Sequence, residues 1–506
     1  MENQQNSRRH CWECRRRCLV CDFTEPMCQR CSASGIECPG YSDVKPVKLK
    51  WLAPGRVISR GRKRDKTPSS ETENGITKTV TKRVPGETIS NTRVLIPRVK
   101  IKTEAYALAE CVEYFNSCIY QDLLPLRELG DNPHIYPLST KHLQRASWAP
   151  DYLRLGMICM ILGHRINRTR GSPESKRFIE KFYLYWGLAI RSLRDHLDIE
   201  DKRNGDTIVA GVLTLLLVDV QLGTSLNWRC HLEGVYELMM LRGGFQAMAR
   251  SKVLKPLLRC LWVLAVIGNT TCPASDLSMI GSQLDTTDFL LEEFSTAMSP
   301  FHMCPLPLFA EIIKVNHLRM RAAEHISTGA EELSHEACKI LQRIHDFLPE
   351  QWADSKRSSE DWVLIGNIYQ AAVAIYLILS LQSLSVLYVT SELSACCAKH
   401  GELLQVLISD GLSSPRTQRF MLWPLIVLGV YAARGSPAMR AFVVSRLPEL
   451  SRDLGTSVPL MVKYVLESFW DSGESRWDSC FNKPYIFTMQ IAVDTNGLSH
   501  TTRIIG

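Results

Sequence analysis

Residues 11–38 read CWECRRRCLVCDFTEPMCQRCSASGIEC, and the spacing of the cysteines in this stretch decides how the chain begins to fold. The stretch holds seven cysteines, and six of them form an internal two-fold repeat. A shift of 17 residues places the first three of these six on the last three. Residues 1–10 are polar, and no apolar signal sequence follows them. In a chain without a secretory signal, such a cluster favours a metal site over a disulfide framework. The six repeated cysteines are Cys11, Cys14, Cys21, Cys28, Cys31 and Cys38.

The repeat predicts two zinc ions per chain rather than one. Structural zinc takes four tetrahedral ligands, so a single ion would leave two of the six cysteines without a metal. Two ions need eight ligand positions, which six thiolates supply only if two sulfurs bridge both ions. Cys11 and Cys28 are the equivalent first members of the two halves, and they are the predicted bridges. A redox or disulfide cluster is the alternative interpretation.

The arginines after Cys14 give the two halves different chemistry. Six thiolates and two Zn²⁺ ions sum to a negative charge, which Arg15, Arg16 and Arg17 overcome, whereas the equivalent residues 32–34 are neutral. The first half is therefore predicted to place a short basic helix in the major groove of double-stranded DNA, where arginine contacts guanine O6 and N7. The second half is predicted to brace it, with Arg30 on a phosphate.

The positive charge of the chain is concentrated near its start. The chain holds 60 basic and 52 acidic residues; the first 100 residues contain 21 and 10, so the rest contains 39 and 42. This asymmetry is typical of a nucleic-acid-binding arm on a neutral body. Residues 39–102 are basic, contain several prolines and few aromatics, and are predicted to form an extended or disordered linker. Its densest basic run predicts a nuclear localisation signal or phosphate contacts, with plain solubility as a third interpretation; this run includes Arg60, Arg62, Lys63 and Arg64.

From residue 103 onward the sequence predicts a large all-α body. Apolar residues recur at helical spacing, and glycine or proline breaks separate the segments. Long helical windows are predicted at residues 176–197, 206–242, 253–268, 305–323, 331–347, 362–388, 391–409, 417–432, 437–447 and 457–470. The predicted organisation is an arm at 1–10, a DNA-binding finger at 11–38, the linker at 39–102, the helical body at 103–480 and a loosely attached tail at 481–506.

Residues 11–38 resemble the binuclear zinc-cluster (Zn2Cys6, Gal4-type) transcription factors of fungi. The resemblance covers the six cysteines in register, the basic stretch after the second of them, Asp22 and the loop proline Pro26. The local sequence around residues 35–41 and 51–56 is similar to that of one branch of this family, the acriflavine-sensitivity-control-type regulators. The resemblance implies zinc on the six cysteines, DNA contacts from positions 15, 17 and 18, and an all-α fungal-specific transcription factor domain. The sequence differs from the usual pattern at Cys18 and Val20, where the family has basic residues.

The family resemblance implies a nuclear, non-enzymatic regulator of polymerase II genes that reads CGG-type half-sites. Such regulators often control a metabolic, drug-response or biosynthetic gene set. The alternative function is a helical ligand-binding or enzymatic protein that its finger tethers to chromatin. The sequence contains no nucleophile elbow, phosphate loop, zinc-protease motif or dinucleotide glycine pattern.

The helical body is predicted to regulate the activity of the DNA-binding finger. The sequence does not decide which partner it binds. The body could hold a small-molecule effector or present a protein surface. No heptad repeat follows the linker, so monomeric binding and a homodimer through the helical body are both open. An uncharged apolar stretch at residues 371–389 is predicted to be a core helix, with a membrane span as the alternative. His164, His231 and the Cys396-Cys397 pair are predicted to be core residues.

Overall fold

Every regular element in the described part of the chain is a helix, which confirms the predicted all-α class. The computed structural model describes residues 11, 14, 21, 22, 24, 27–33, 38, 96–130, 135–199, 203, 205–223, 228–251, 254–295, 304–324 and 330–488. The contacts divide the chain into two units, residues 1–89 and 90–506, and each is described by itself.

The helices are numbered here in chain order. The first unit contains α1 (Gln29–Ala33). The second contains α2 (Ile96–Tyr114), α3 (Tyr120–Leu123), α4 (Leu126–Leu129), α5 (Thr140–Trp148), α6 (Asp151–Arg168), α7 (Pro173–Leu197), α8 (Asp206–Leu222), α9 (Trp228–Leu241), α10 (Gly244–Ala249), α11 (Lys255–Thr270), α12 (Ile280–Asp285), α13 (Thr287–Ser295), α14 (Leu306–Glu324), α15 (Ala330–His345), α16 (Pro349–Ala353), α17 (Ser359–Ser383), α18 (Ser391–Ser413), α19 (Leu422–Tyr431), α20 (Pro437–Leu454), α21 (Val458–Asp471) and α22 (Trp477–Cys480).

The centre of the helical body is α17. Its side chains from Ala371 to Leu381 are at most 1 % exposed, because neighbouring helices pack around the whole circumference of the helix. The helix is long and apolar enough to cross a membrane by length and composition, but most of it is buried inside the body. The structure therefore supports the core-helix interpretation of this stretch. The helix ends at Ser383 rather than 388, since Ser385 turns the backbone into the left-handed region.

The predicted helical window 206–242 is wrong, because the described residues form two helices there. Gly223 ends α8 with φ +66°, and its N–H donates to the Val220 carbonyl at 3.0 Å. A Cβ at Gly223 would lie 3.1 Å from the backbone of Ser457. Only glycine combines that left-handed turn with so close a neighbour.

A fully buried arginine ties the end of the body to its core. Arg319 on α14 forms an ion pair with Asp478 of α22 (Nη2–Oδ1 3.0 Å) and donates to the Cys272 carbonyl at 2.7 Å and to Tyr376 Oη at 3.1 Å. Burial by itself lowers the pKa of Arg319, but Tyr376 and Asp478 outweigh it and raise that pKa above its usual value. The guanidinium therefore stays charged inside the protein.

The first part of the predicted tail belongs to the helical body. Phe481 is fully buried and Phe487 is 3 % exposed, and the Tyr485 N–H donates to the Thr271 carbonyl at 3.1 Å. The prediction of a loosely attached segment from residue 481 is therefore wrong up to residue 488, because its aromatic side chains pack on the core. Residues 489–506 lie outside the described residues.

Candidate metal centre and nucleic-acid interface

The sulfur atoms of the finger form a compact cluster. Cys11 Sγ lies 3.6 Å from Cys28 Sγ and 3.7 Å from Cys31 Sγ, and Cys14 Sγ lies 3.6 Å from Cys28 Sγ. Two sulfurs on one tetrahedral zinc ion, each about 2.3 Å from the metal, stand about 3.8 Å apart. The sulfurs of the finger are thus already at the spacing that shared zinc ions require. All the described cysteines here are buried except Cys38, which is half-buried.

The six sulfurs fall into two sets of four. One set combines Cys11, Cys14, Cys21 and Cys28, and the other combines Cys11, Cys28, Cys31 and Cys38; within each set the sulfurs lie within 4.8 Å of one another. Cys11 and Cys28 belong to both sets. This arrangement fits two tetrahedral ions that share two thiolates, since each set offers four soft sulfur donors to one zinc ion.

The two halves of the finger repeat the same local hydrogen bond. The Cys14 N–H donates to Cys11 Sγ at 3.4 Å, and the Cys31 N–H donates to Cys28 Sγ at 3.3 Å. In each half, the N–H of the second cysteine in a Cys-x2-Cys pair points at the sulfur of the first. A backbone N–H beside a thiolate stabilises the negative charge on sulfur, so these contacts suit bridging ligands.

Asp22 braces the loop between the halves. Its Oδ1 accepts from the Thr24 N–H at 3.1 Å and its Oδ2 accepts from the Arg30 N–H at 3.0 Å, at the start of α1. These N–H groups, Thr24 first, hold the pKa of the Asp22 carboxyl below its usual value. The carboxylate therefore caps α1 and fixes the position at which the second half begins.

Burial shapes the chemistry of the thiols when they carry no metal. It raises the pKa of Cys31 to about 12 and raises the pKa values of Cys11 and Cys14 as well. Thiols with such values are neutral near pH 7, yet zinc binds thiolates. Zinc must therefore displace the protons, and its binding energy becomes folding energy of the finger.

Of the basic residues predicted to contact DNA, the structure describes Arg30. It lies on α1 and is exposed, as are its neutral neighbours Ser32 and Ala33. Its side chain is thus accessible to a phosphate. The other predicted contacts lie outside the described residues; they are Arg15, Arg16, Arg17, Arg60, Arg62, Lys63 and Arg64.

Comparison with known proteins matches both units of the chain. Residues 9–47 match the family described as the fungal Zn(2)-Cys(6) binuclear cluster domain, and residues 113–487 match the fungal specific transcription factor domain. The chain belongs to the fungal Zn(2)-Cys(6) transcription factors. Its finger binds two zinc ions, which confirms the predicted cofactor.

This Zn(2)-Cys(6) transcription factor resembles one relative over nearly its full length. It is 47 % identical over 504 residues, 97 % of this chain and 91 % of the relative, to the phomenoic acid biosynthesis cluster-specific transcriptional regulator of Leptosphaeria maculans. A second match, to arginine metabolism regulation protein II of Saccharomyces cerevisiae, is 46 % identical over 44 residues, which are 9 % of this chain and 4 % of that protein. No solved structure matches the chain at a significant level.

These findings show a DNA-binding regulator of transcription, as predicted, and the family implies a nuclear location. They do not favour the alternative of a helical enzyme or ligand-binding protein tethered to chromatin.

The histidines of this transcription factor differ from one another. His164 is 5 % exposed and meets Tyr114 Oη through Nδ1 at 3.1 Å; burial lowers its pKa to about 3, so it is the neutral core residue that was predicted. His231 faces Asp219 with Nε2 3.3 Å from Oδ2; this acidic partner lies on the preceding helix, so no local spacing in the sequence indicates it.

Of the two cysteines predicted to be core thiols, Cys397 is buried in the core, whereas Cys396 packs at its edge. Cys397 is 5 % exposed, but Cys396 is only half-buried and lies beside His345 and His400. The Cys-x3-His spacing on α18 was a readable signal, whereas His345 comes from a helix more than 50 residues earlier.

Proposed function

We propose that this chain recognises CGG-type half-sites in promoters through Arg15, Arg16 and Arg17, with all six cysteines of the finger as zinc ligands. The observation that carries the proposal is the pair of four-sulfur sets that share Cys11 and Cys28. Two ions held this way make the finger rigid, and the basic residues after Cys14 then keep a constant position relative to the bases. Exposed Arg30 supports a separate phosphate contact from the second half.

The regulated genes are proposed to be a set of clustered biosynthetic genes in the nucleus, transcribed by polymerase II. The support is the relative described above, whose name assigns it to a biosynthesis cluster. Binding-site selection with the full chain tests the proposal, and we expect enrichment of CGG triplets. Enrichment of an unrelated sequence would contradict the half-site, and no enrichment over random duplexes would contradict sequence-specific binding.

Two basic residues are expected to act on DNA in different ways. Arg17→Ala should relax the base preference by about 1–3 kcal/mol, because a bidentate guanine contact is lost. Arg62→Ala should weaken binding to all sequences alike and reduce the salt slope by about one, because it removes a phosphate contact. Fluorescence anisotropy on CGG and scrambled duplexes at several salt concentrations measures both effects. Identical behaviour of the two variants would contradict the groove assignment.

A homodimer through the helical body is also proposed. It is supported by a stripe of exposed apolar side chains along one face of α7: Ile179 is 38 % exposed, Tyr183 61 % and Ile190 42 %. Their spacing of four and seven residues is that of a helix–helix contact. A second copy of α7 would cover the same residues symmetrically.

Sedimentation velocity of the full chain tests this dimer. The wild-type chain is expected to sediment as a dimer and Tyr183→Lys as a monomer, because lysine places a charge in the apolar stripe. Tyr464→Lys is the matched control, since Tyr464 is 69 % exposed on α21. A monomeric wild type, or a dimeric Tyr183→Lys protein, would rule out this interface.

A small-molecule effector is proposed to bind between α2, α5 and α6. The support is a cavity of about 110 Å³ whose lining is mostly apolar and includes Val112, Leu143, Leu153, Met157 and Ile161. The nearby polar groups of His142 and Arg145 would orient a compact, largely apolar ligand there.

A further inference from the structure

Two helices of the body bring three metal-binding side chains together. His345 is the last residue of α15, while Cys396 and His400 lie four residues apart on α18 and therefore on one face of that helix. Their donor atoms lie within 4.8 Å of one another. This cluster belongs to the helical body and shares no residue with the zinc ligands of the finger.

Two of the three donor separations in the cluster match one tetrahedral zinc ion, and the third, between Cys396 and His400, is within 4.8 Å. His345 Nε2 lies 3.3 Å from His400 Nε2, and Cys396 Sγ lies 3.8 Å from His345 Nε2. Zinc–nitrogen bonds of about 2.05 Å and a zinc–sulfur bond of about 2.3 Å place tetrahedral donors about 3.4 Å (N···N) and about 3.6 Å (N···S) apart. The observed separations agree with both values to about 0.2 Å.

Hydrogen bonds from α17 hold the end of α15 that carries His345 in place. The Gln370 side chain on α17 donates from Nε2 to the carbonyl oxygens of Ile344 and Phe347, each at 2.8 Å. Gln370 thus binds one carbonyl in the last turn of α15 and one just beyond its C-terminus, and it anchors this end to the core helix. The backbone of His345 is therefore fixed opposite α18 before any metal arrives, which lowers the cost of assembling the site.

We propose that His345, Cys396 and His400 bind a third Zn²⁺ ion. Two imidazoles and one thiolate are donors that select zinc over the oxygen-seeking Mg²⁺ and Ca²⁺. The Cys396 thiol releases its proton to solvent as the Zn–S bond forms, and the histidines bind as neutral imidazoles. His345 is exposed, so water can take the fourth position. The ion joins the end of α15 to α18 and makes the stability of the body dependent on zinc.

The experiment counts zinc in the full chain. Protein purified with zinc and dialysed against metal-free buffer is expected to retain three ions per chain. Cys396→Ser and His345→Ala are each expected to retain two, because the finger is untouched. Cys338→Ser is the matched control: Cys338 is an exposed cysteine on α15, and its removal should leave three ions. Far-UV circular dichroism verifies that each variant keeps its helices.

The number of zinc ions per chain tests the third site independently of the function of the finger. Two ions in the wild-type chain, or three in Cys396→Ser, would overturn the third site and leave the zinc finger unaffected. A second measurement is the thermal unfolding of the body, followed by circular dichroism with and without excess zinc. Zinc should raise the midpoint by a few degrees in the wild-type and Cys338→Ser proteins but not in His345→Ala, since only a folded site binds it. An equal rise in all three proteins would also overturn the proposal.

Discussion

Replacing Cys11 by serine is expected to release both zinc ions from the finger and to abolish DNA binding. Cys11 is in both four-sulfur sets, so under the proposed assignment its loss leaves each ion with three ligands and breaks the connection between the halves. Structural zinc supplies about 10–16 kcal/mol of folding free energy to domains of this kind, which is more than a finger this small can recover elsewhere. DNA affinity measured by anisotropy should fall to the non-specific level, and elemental analysis should show the loss of two ions.

The contrast between a bridging and a terminal cysteine makes this prediction specific. Cys14 belongs to one set only, so Cys14→Ser is expected to weaken one ion and to retain the other at saturating zinc. Cys338→Ser, an exposed cysteine of the body, should change neither the zinc content nor DNA binding. Equal zinc loss from Cys11→Ser and Cys14→Ser would contradict the bridging assignment.

Arg319→Ala is expected to lower the free energy of unfolding of the helical body by about 3–5 kcal/mol. The substitution removes a fully buried cation and leaves Asp478 without its ion-pair partner, and breaking a buried pair on one side costs about that much. It also removes the hydrogen bonds that Arg319 donates to the carbonyls of Asn269 and Cys272. Chemical denaturation followed by circular dichroism measures the change.

A surface ion pair is the control for Arg319. Arg446 faces Glu449 one turn away at 3.4 Å, with side chains 41 % and 56 % exposed, so Arg446→Ala should cost about 0–1 kcal/mol. The double variant Arg319→Met/Asp478→Ala should recover part of the stability, because it removes the buried cation together with its half-buried carboxylate partner. A double variant that is no more stable than Arg319→Ala would show that shape, not charge, dominates at this position.

The sequence predicted the features that depend on short-range spacing. The duplicated cysteine pattern led to two ions and to the two sulfurs that belong to both sets. The apolar periodicity located most of the long helices, and the unbroken apolar run of α17 indicated its place in the core. These features depend on residues close together in the chain, where each position constrains its neighbours directly.

Features that join distant parts of the chain escaped sequence reasoning. The predicted window 437–447 stops before Pro448, yet α20 continues to Leu454, because burial of Leu450 and Leu454 offsets the hydrogen bond that the proline removes. The partner of Arg319 lies 159 residues away, and His345 lies 51 residues from Cys396. No local sequence pattern predicts such pairs, since only the packing of the helices brings them together.

The ion pair of Arg319 has a consequence for how the protein is made. Synthesis runs from the N-terminus, so Arg319 leaves the ribosome long before Asp478 does, and until then its charge has no carboxylate to neutralise it in the core. The nascent body cannot close around that cation with its native ion pair until α22 has been translated. A premature stop before the codon of Asp478 would therefore leave Arg319 without its native carboxylate, and we expect the cell's proteases to remove that polypeptide.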